Sequence, residues 1–119
     1  RKTVRIEPYK QFDTDAMRET MLTMHNHTGT HVDAPAHFLR DGATLDALSL
    51  DALIGPCRVL DLSHVDECII AQDLDKFNIQ KDERILLKTK NSLHSATESF
   101  DLDFVYVRKD AAVYLTQVQ

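Results

Sequence analysis

The sequence predicts a single domain of the α/β or mixed α+β layer class. Three observations carry that reading. Strand-like and helix-like segments are interspersed along the chain rather than grouped. A chain of 119 residues is enough for one small domain and too short for two. No internal repeat or low-complexity tract points to a solenoid or a disordered tail.

The elements follow in order. Residues 3–7 alternate with a period of two and predict a short strand ending before Pro8. Residues 19–24 are a second β segment, feeding straight into a histidine-rich stretch. From His27 to His37 the chain carries Gly29 and Pro35, which excludes a regular helix there. Between residues 45 and 54 the apolar positions 45, 48, 50, 53 and 54 fall close to helical spacing, and Gly55-Pro56 ends the run. Residues 57–62 predict a strand, 71–77 a short helix, and Asn78 with residues 81–83 a turn. Residues 84–89 form a nearly continuous apolar run, suited to the interior of a sheet. Residues 91–99 are polar and loop-like, 103–107 predict a further strand, and 111–119 a final helix. That helix has no glycine cap or polar stop behind it, and residue 1 is arginine rather than methionine. The sequence is therefore expected to be an incomplete piece of a larger domain, truncated at both ends.

Composition narrows the function classes. Hydrophobic residues make up 43% and charged residues 28%, ordinary for a globular protein. A net charge of -5 with no clustered basic face argues against a nucleic-acid partner. No run approaches the ~20 apolar residues of a membrane span, and the first residues lack the apolar core of an export signal. The cysteines, Cys57 and Cys68, have no metal-type spacing; Cys57 opens an apolar run and is expected to be a buried free thiol. A cytoplasmic setting is the default that follows.

Four of the six histidines lie between residues 25 and 37, with Asp33 among them. Imidazoles and a carboxylate in one short irregular segment can converge on one cation. In an extended stretch His31 and Asp33 point the same way, and Gly29 lets the chain turn so that His27 folds back beside them. Pro35 fixes the chain beyond and can aim His37 at the same place. Such donors suit zinc, manganese or iron(II) better than magnesium or calcium. Asp33, with two oxygens, can bridge to a second ion. His37, if not a ligand, is a natural proton carrier. For His25, His64 and His94 the simpler reading is a surface or hydrogen-bonded histidine. Phe38 and Leu39 could line a pocket, although core packing is the simpler expectation.

The segment His27-Thr28-Gly29-Thr30-His31-Val32-Asp33-Ala34-Pro35-Ala36-His37 resembles the signature of the cyclase-family metal hydrolases, which include the bacterial kynurenine formamidases. Every fixed position of His-x-Gly-Thr-His-x-Asp-x-Pro-x-His is present. Residues 41–48, 55–62 and 84–92 resemble the family's following helix and strands. The resemblance weakens before residue 18 and after Ser92. It implies that His27, His31 and Asp33 are metal ligands, with Asp33 shared between two ions, and that His37 is catalytic. It further implies a swivelling β/β/α domain, assembly as a homodimer or larger homo-oligomer, and zinc, or manganese in some members. The implied activity is hydrolysis of a small amide: N-formyl-L-kynurenine to L-kynurenine and formate.

Two departures stand out. The family's second metal site also takes a histidine and a glutamate from a later part of the fold, and no matching motif assigns these to His94 or Glu98. Asp82 stands where glycine is common in the turn before a strand; aspartate tolerates the left-handed backbone better than most residues. The competing reading is a truncated, non-catalytic metal-binding or interaction fragment. A single-metal histidine–carboxylate oxygenase uses similar ligands but fits the spacing less well. A serine hydrolase lacks its Gly-x-Ser-x-Gly turn.

Overall fold

A computed structural model describes residues 4–94 and 101–118. The chain divides into two compact units, residues 1–46 and 47–119.

The first unit is a hairpin followed by a long irregular segment. Strand β1 (Arg5–Lys10) pairs antiparallel with β2 (Glu19–Thr23), with Ile6 opposite Leu22. The strand does not stop before Pro8. It runs through the proline and shifts register between Pro8 and Lys10, because a two-stranded ladder has an open edge where a missing N–H costs little. A one-turn helix, α1 (Phe12–Asp15), makes the connection and ends at Ala16 with φ 56°. Sequence periodicity missed it, since one turn carries no period. Its start is held by Asp15, whose carboxylate accepts from the Gln11 N–H at 3.0 Å and the Thr14 hydroxyl at 2.6 Å. No described residue of this unit is buried. Phe38, 86% exposed, and Leu39, 62% exposed, are accordingly not core residues, contrary to the packing expectation.

The second unit holds the core. Strand β3 (Arg58–Asp61) lies parallel to β5 (Ile85–Lys88), Leu60 opposite Leu87. Parallel neighbours need a crossover, and residues 62–84 supply it with β4 (Cys68–Ile69) and α2 (Ala71–Asp75). Strand β4 in turn runs parallel to β6 (Tyr106–Val107), which leads into α3 (Lys109–Val118). Leu60, Leu62, Ile69 and Leu74 are fully buried, joined by Val65, Ile79, Val105 and Ala111. The alternation of β3 follows from its single covered face: Leu60 is buried while Val59 and Asp61 face outward. The same holds for β5. Ile85 and Leu87 pack on the core, but Leu86 is 56% exposed, so this strand is covered on one face rather than two. The Asn91 side chain clamps the Val105 backbone, donating to its carbonyl and accepting from its N–H, both at 2.8 Å.

Three further expectations are corrected. Residues 45–54 form two separate 3-10 turns, Leu45–Ala47 and Leu50–Ala52. Ser49 divides them: it takes an extended backbone and its hydroxyl accepts from the Asp51 N–H at 3.2 Å, a local bond that competes with helix continuation. Residues 91–93 of the expected loop over 91–99 belong to a 3-10 turn, Lys90–Leu93, while residues 95–99 lie outside the described residues. Cys57 is free but exposed. Asp82 has φ 60°, as the turn requires. No helix among the described residues is long and apolar enough to cross a membrane.

Asp110 links the crossover helix to the last one. It grips Arg108 through two hydrogen bonds, at 2.6 and 2.8 Å, and accepts from the Ala71 N–H that opens α2. The Arg108 guanidinium holds its carboxyl well below the ordinary aspartate value of 3.8. A carboxyl depressed in the folded state contributes stability that is present above the unfolded value and lost as pH falls through the folded one. Asp110→Asn should therefore lower Tm at pH 7, and the gap to the parent should close as pH falls below about 4. Thermal unfolding followed by circular dichroism at pH 7, 4 and 2.5 checks this; a constant gap would contradict it.

Candidate metal centre

The irregular segment after β2 brings all four expected site residues together. His27 Nδ1 lies 3.1 Å from Asp33 Oδ1 and 3.2 Å from His31 Nε2. The third side of this triangle, His31 Nε2 to Asp33 Oδ1, is 3.6 Å. Tetrahedral zinc with bonds of about 2.0–2.1 Å keeps its donors about 3.3–3.4 Å apart. The three atoms thus stand at the spacing of ligands around one cation.

Local sequence explains the arrangement. Gly29 takes φ 70°, a conformation open to glycine at little cost, and turns the chain between His27 and His31. Its carbonyl then accepts from His31 Nδ1 at 2.7 Å. A carbonyl can only accept, so the ring proton sits on Nδ1 and the Nε2 lone pair is left for the cluster. Orientation of a ligand imidazole through its other nitrogen is the usual support for a metal-binding histidine. The His27 N–H donates to His25 Nδ1 at 3.3 Å, tying His25 to the segment as well. The donors remain accessible: the His27, His31 and Asp33 side chains are 26%, 33% and 48% exposed.

His37 closes the group. It ends a 3-10 turn, Pro35–His37, which starts on proline at the position where a missing N–H does no harm. Its ring centroid is 4.2 Å from that of His27. One of its nitrogens lies with donor atoms of His27 and Asp33 inside a mutual distance of 4.8 Å. Two overlapping triplets therefore share His27 and Asp33. The triplet with His31 is the tighter and has its imidazole anchored; His37 stands beside it.

The other histidines are elsewhere. His64 Nε2 meets Lys76 Nζ at 3.2 Å, and His94 pairs with Asp101 at 3.2 Å. Glu98 lies outside the described residues. The sequence reading missed the Gly29 carbonyl as a positioning group, although the glycine itself was recognisable as a turn.

A mixed strand-and-helix chain with two imidazoles and a carboxylate on one loop presents a candidate nitrogen- and oxygen-donor metal centre. Comparison with known proteins gives the family. The model of the family described as "Putative cyclase" matches residues 3–119, and the chain belongs to that family. It is 40% identical over 96 residues to a kynurenine formamidase of Bacillus cereus, and equally so to that of Bacillus anthracis. Those alignments take in 81% of this chain and 44% of each relative, so the chain spans less than half the length of the curated relatives it matches. Among solved structures, it resembles one described as a potential metal-dependent hydrolase with cyclase activity, with TM-score 0.80 and 36% identity, over 97% of this chain and 53% of the other. A predicted metal-dependent hydrolase from Bacillus stearothermophilus gives TM-score 0.80 and 36% identity over 99% and 55%. An isatin hydrolase shares the fold, with TM-score 0.83 at 23% identity over 98% of this chain and 53% of its own.

Proposed function

We propose that this protein is a metal-dependent hydrolase of small amides, an arylformamidase that converts N-formylkynurenine to kynurenine and formate. The observation that carries this reading is the triangle of His27 Nδ1, His31 Nε2 and Asp33 Oδ1 with sides of 3.1–3.6 Å. The kynurenine formamidases among its relatives supply the substrate class. In this reading His27, His31 and Asp33 hold zinc, or manganese, and His37 is the catalytic histidine. The whole enzyme would hold two ions per site with Asp33 as a ligand shared between them, within a swivelling β/β/α domain that assembles as a homodimer or larger oligomer in the cytoplasm.

The donor set fits a divalent cation chemically. Two imidazole nitrogens and one carboxylate oxygen converge within 3.6 Å of one another. A cation bound there supplies Lewis acidity, polarising a carbonyl oxygen and making hydroxide available near neutral pH. The chain's own residues do the rest. Asp33 and the two imidazoles would hold the cation, and the Gly29 carbonyl keeps His31 from rotating away. His37 delivers a proton to the departing aromatic amine as the C–N bond breaks, which makes a poor leaving group a neutral one.

The test is elemental metal analysis of protein prepared without chelators, followed by assay of N-formylkynurenine hydrolysis. One or two equivalents of zinc or manganese with turnover support the reading. No metal after incubation with zinc overturns it. A second reading, a metal-binding fragment without turnover of its own, draws on the 44% coverage of the relatives. It predicts bound metal but no hydrolysis, and activity recovered when the part of the relatives that this chain does not span is added as a separate chain.

Gly29 offers a graded check. A Cβ there would meet nothing within 4 Å, so only the backbone conformation opposes a side chain. Gly29→Ala should cost about 1–2 kcal/mol in the left-handed conformation. An exposed loop can relax when no ion is bound, so the cost should appear as zinc affinity weakened about five- to thirtyfold, read by competition with a chelator.

A further inference from the structure

We propose that Gly42 is a positioning residue, whose lack of a side chain holds His37 against the donor cluster. Residues 34–43 form a closed loop. The His37 N–H donates to the Ala34 carbonyl at 2.9 Å, and the Leu39 N–H to the Pro35 carbonyl at 2.9 Å. The returning strand of the loop is tied by Gly42 N–H to the Leu39 carbonyl at 3.0 Å and by Ala36 N–H to the Ala43 carbonyl at 3.1 Å. That last bond satisfies an N–H that a turn beginning at Pro35 leaves without an internal partner.

Gly42 makes this closure sterically feasible. A Cβ built on it falls 2.6 Å from the Pro35 carbonyl carbon, and 2.7 Å from both the Pro35 oxygen and the Ala36 nitrogen. All three are backbone atoms, so none can rotate aside as a side chain would. Ordinary contact begins at 3.4 Å, and the Pro35–Ala36 peptide would have to retreat by about 0.8 Å. The requirement is for space and not for an unusual φ, because Gly42 lies outside the left-handed region that Gly29 and Gly55 occupy.

The displaced peptide lies one residue before His37, within the same 3-10 turn. His27, His31 and Asp33 precede Pro35 and are fixed by contacts with one another and with the Gly29 carbonyl. Filling the space at residue 42 should therefore move His37 and leave the donor triangle in place. A misplacement of about 1 Å can cost about a hundredfold in rate.

The proposal rests on the reading of His37 as proton donor only for its catalytic consequence, and the test separates the two. Gly42→Ala should bind zinc in the parental stoichiometry and lower kcat about ten- to a hundredfold, with KM changed less than about threefold. In a His37→Ala background the same substitution should cost almost nothing further, because the residue it acts through is gone. In imidazole NMR spectra of the zinc-free protein, the His37 signal should shift in Gly42→Ala, while those of His64 and His94 stay in place. Pro35→Ala, which frees the backbone of that peptide without filling the space at residue 42, should shift His37 in the spectrum to a smaller extent and serves if Gly42→Ala does not fold. An unmoved His37 signal in the folded variants overturns the proposal, and so does an equal rate loss in the two backgrounds. Parental turnover by His37→Ala would instead remove the proton-donor reading, while the spectra still decide whether Gly42 positions the ring.

Discussion

Asp33→Asn should lose bound metal and turnover together. Asparagine keeps the size and shape of aspartate, so the loop has no steric reason to rearrange. What changes is the donor. Asp33 supplies the only negative charge in the triangle, and its Oδ1 faces both His27 and His31 at 3.1 and 3.6 Å. A neutral amide oxygen is a weaker ligand, and the amide nitrogen turned inward would donate to imidazole nitrogens that a cation needs. Loss of even an outer-shell partner costs about 10–100-fold in metal affinity, and removing a ligand should exceed that range. Zinc competition and formamidase assay on the same preparation provide the check. Stoichiometric metal in Asp33→Asn would remove Asp33 from the ligand set.

His37→Ala should separate the two properties, retaining metal while kcat falls by about 10²–10⁴. The geometry makes this a genuine contest. One His37 nitrogen stands within 4.8 Å of donor atoms on His27 and Asp33, close enough for a ligand after a small rotation. If His37 is a ligand, the alanine variant loses metal along with activity and behaves like Asp33→Asn. If it is the proton donor, metal content stays at the parental value and only the chemical step suffers.

The site was more legible in the sequence than the framework around it. Its donors lie within eleven residues, and their convergence needs only alternation between His31 and Asp33 and a turn at Gly29. Both are local properties of the chain. The longer strands were legible for the same reason, because β2, β3 and β5 each carry their pattern within four or five residues. What escaped depends on tertiary context. Strand β4 has two residues and exists because it lies beside β6, a partner more than thirty residues away. The expected helix over 45–54 failed through one hydroxyl, Ser49, which a count of apolar positions does not register. Leu86 and Cys57 were misjudged because apolar character says that a residue can be buried, not that a neighbour is there to cover it.

The short span from His27 to His37 also bears on how the centre forms. The entropy lost in closing a loop grows with the logarithm of its length, so donors two to ten positions apart assemble at small cost. Closing a loop of about ten residues takes only about 10–100 ns. The donor cluster is therefore a local structure of low contact order. The β3–β5 pair, by contrast, must bring together residues twenty-seven positions apart. An ion captured early would act as a nucleus, restricting this segment before the parallel strands have found each other.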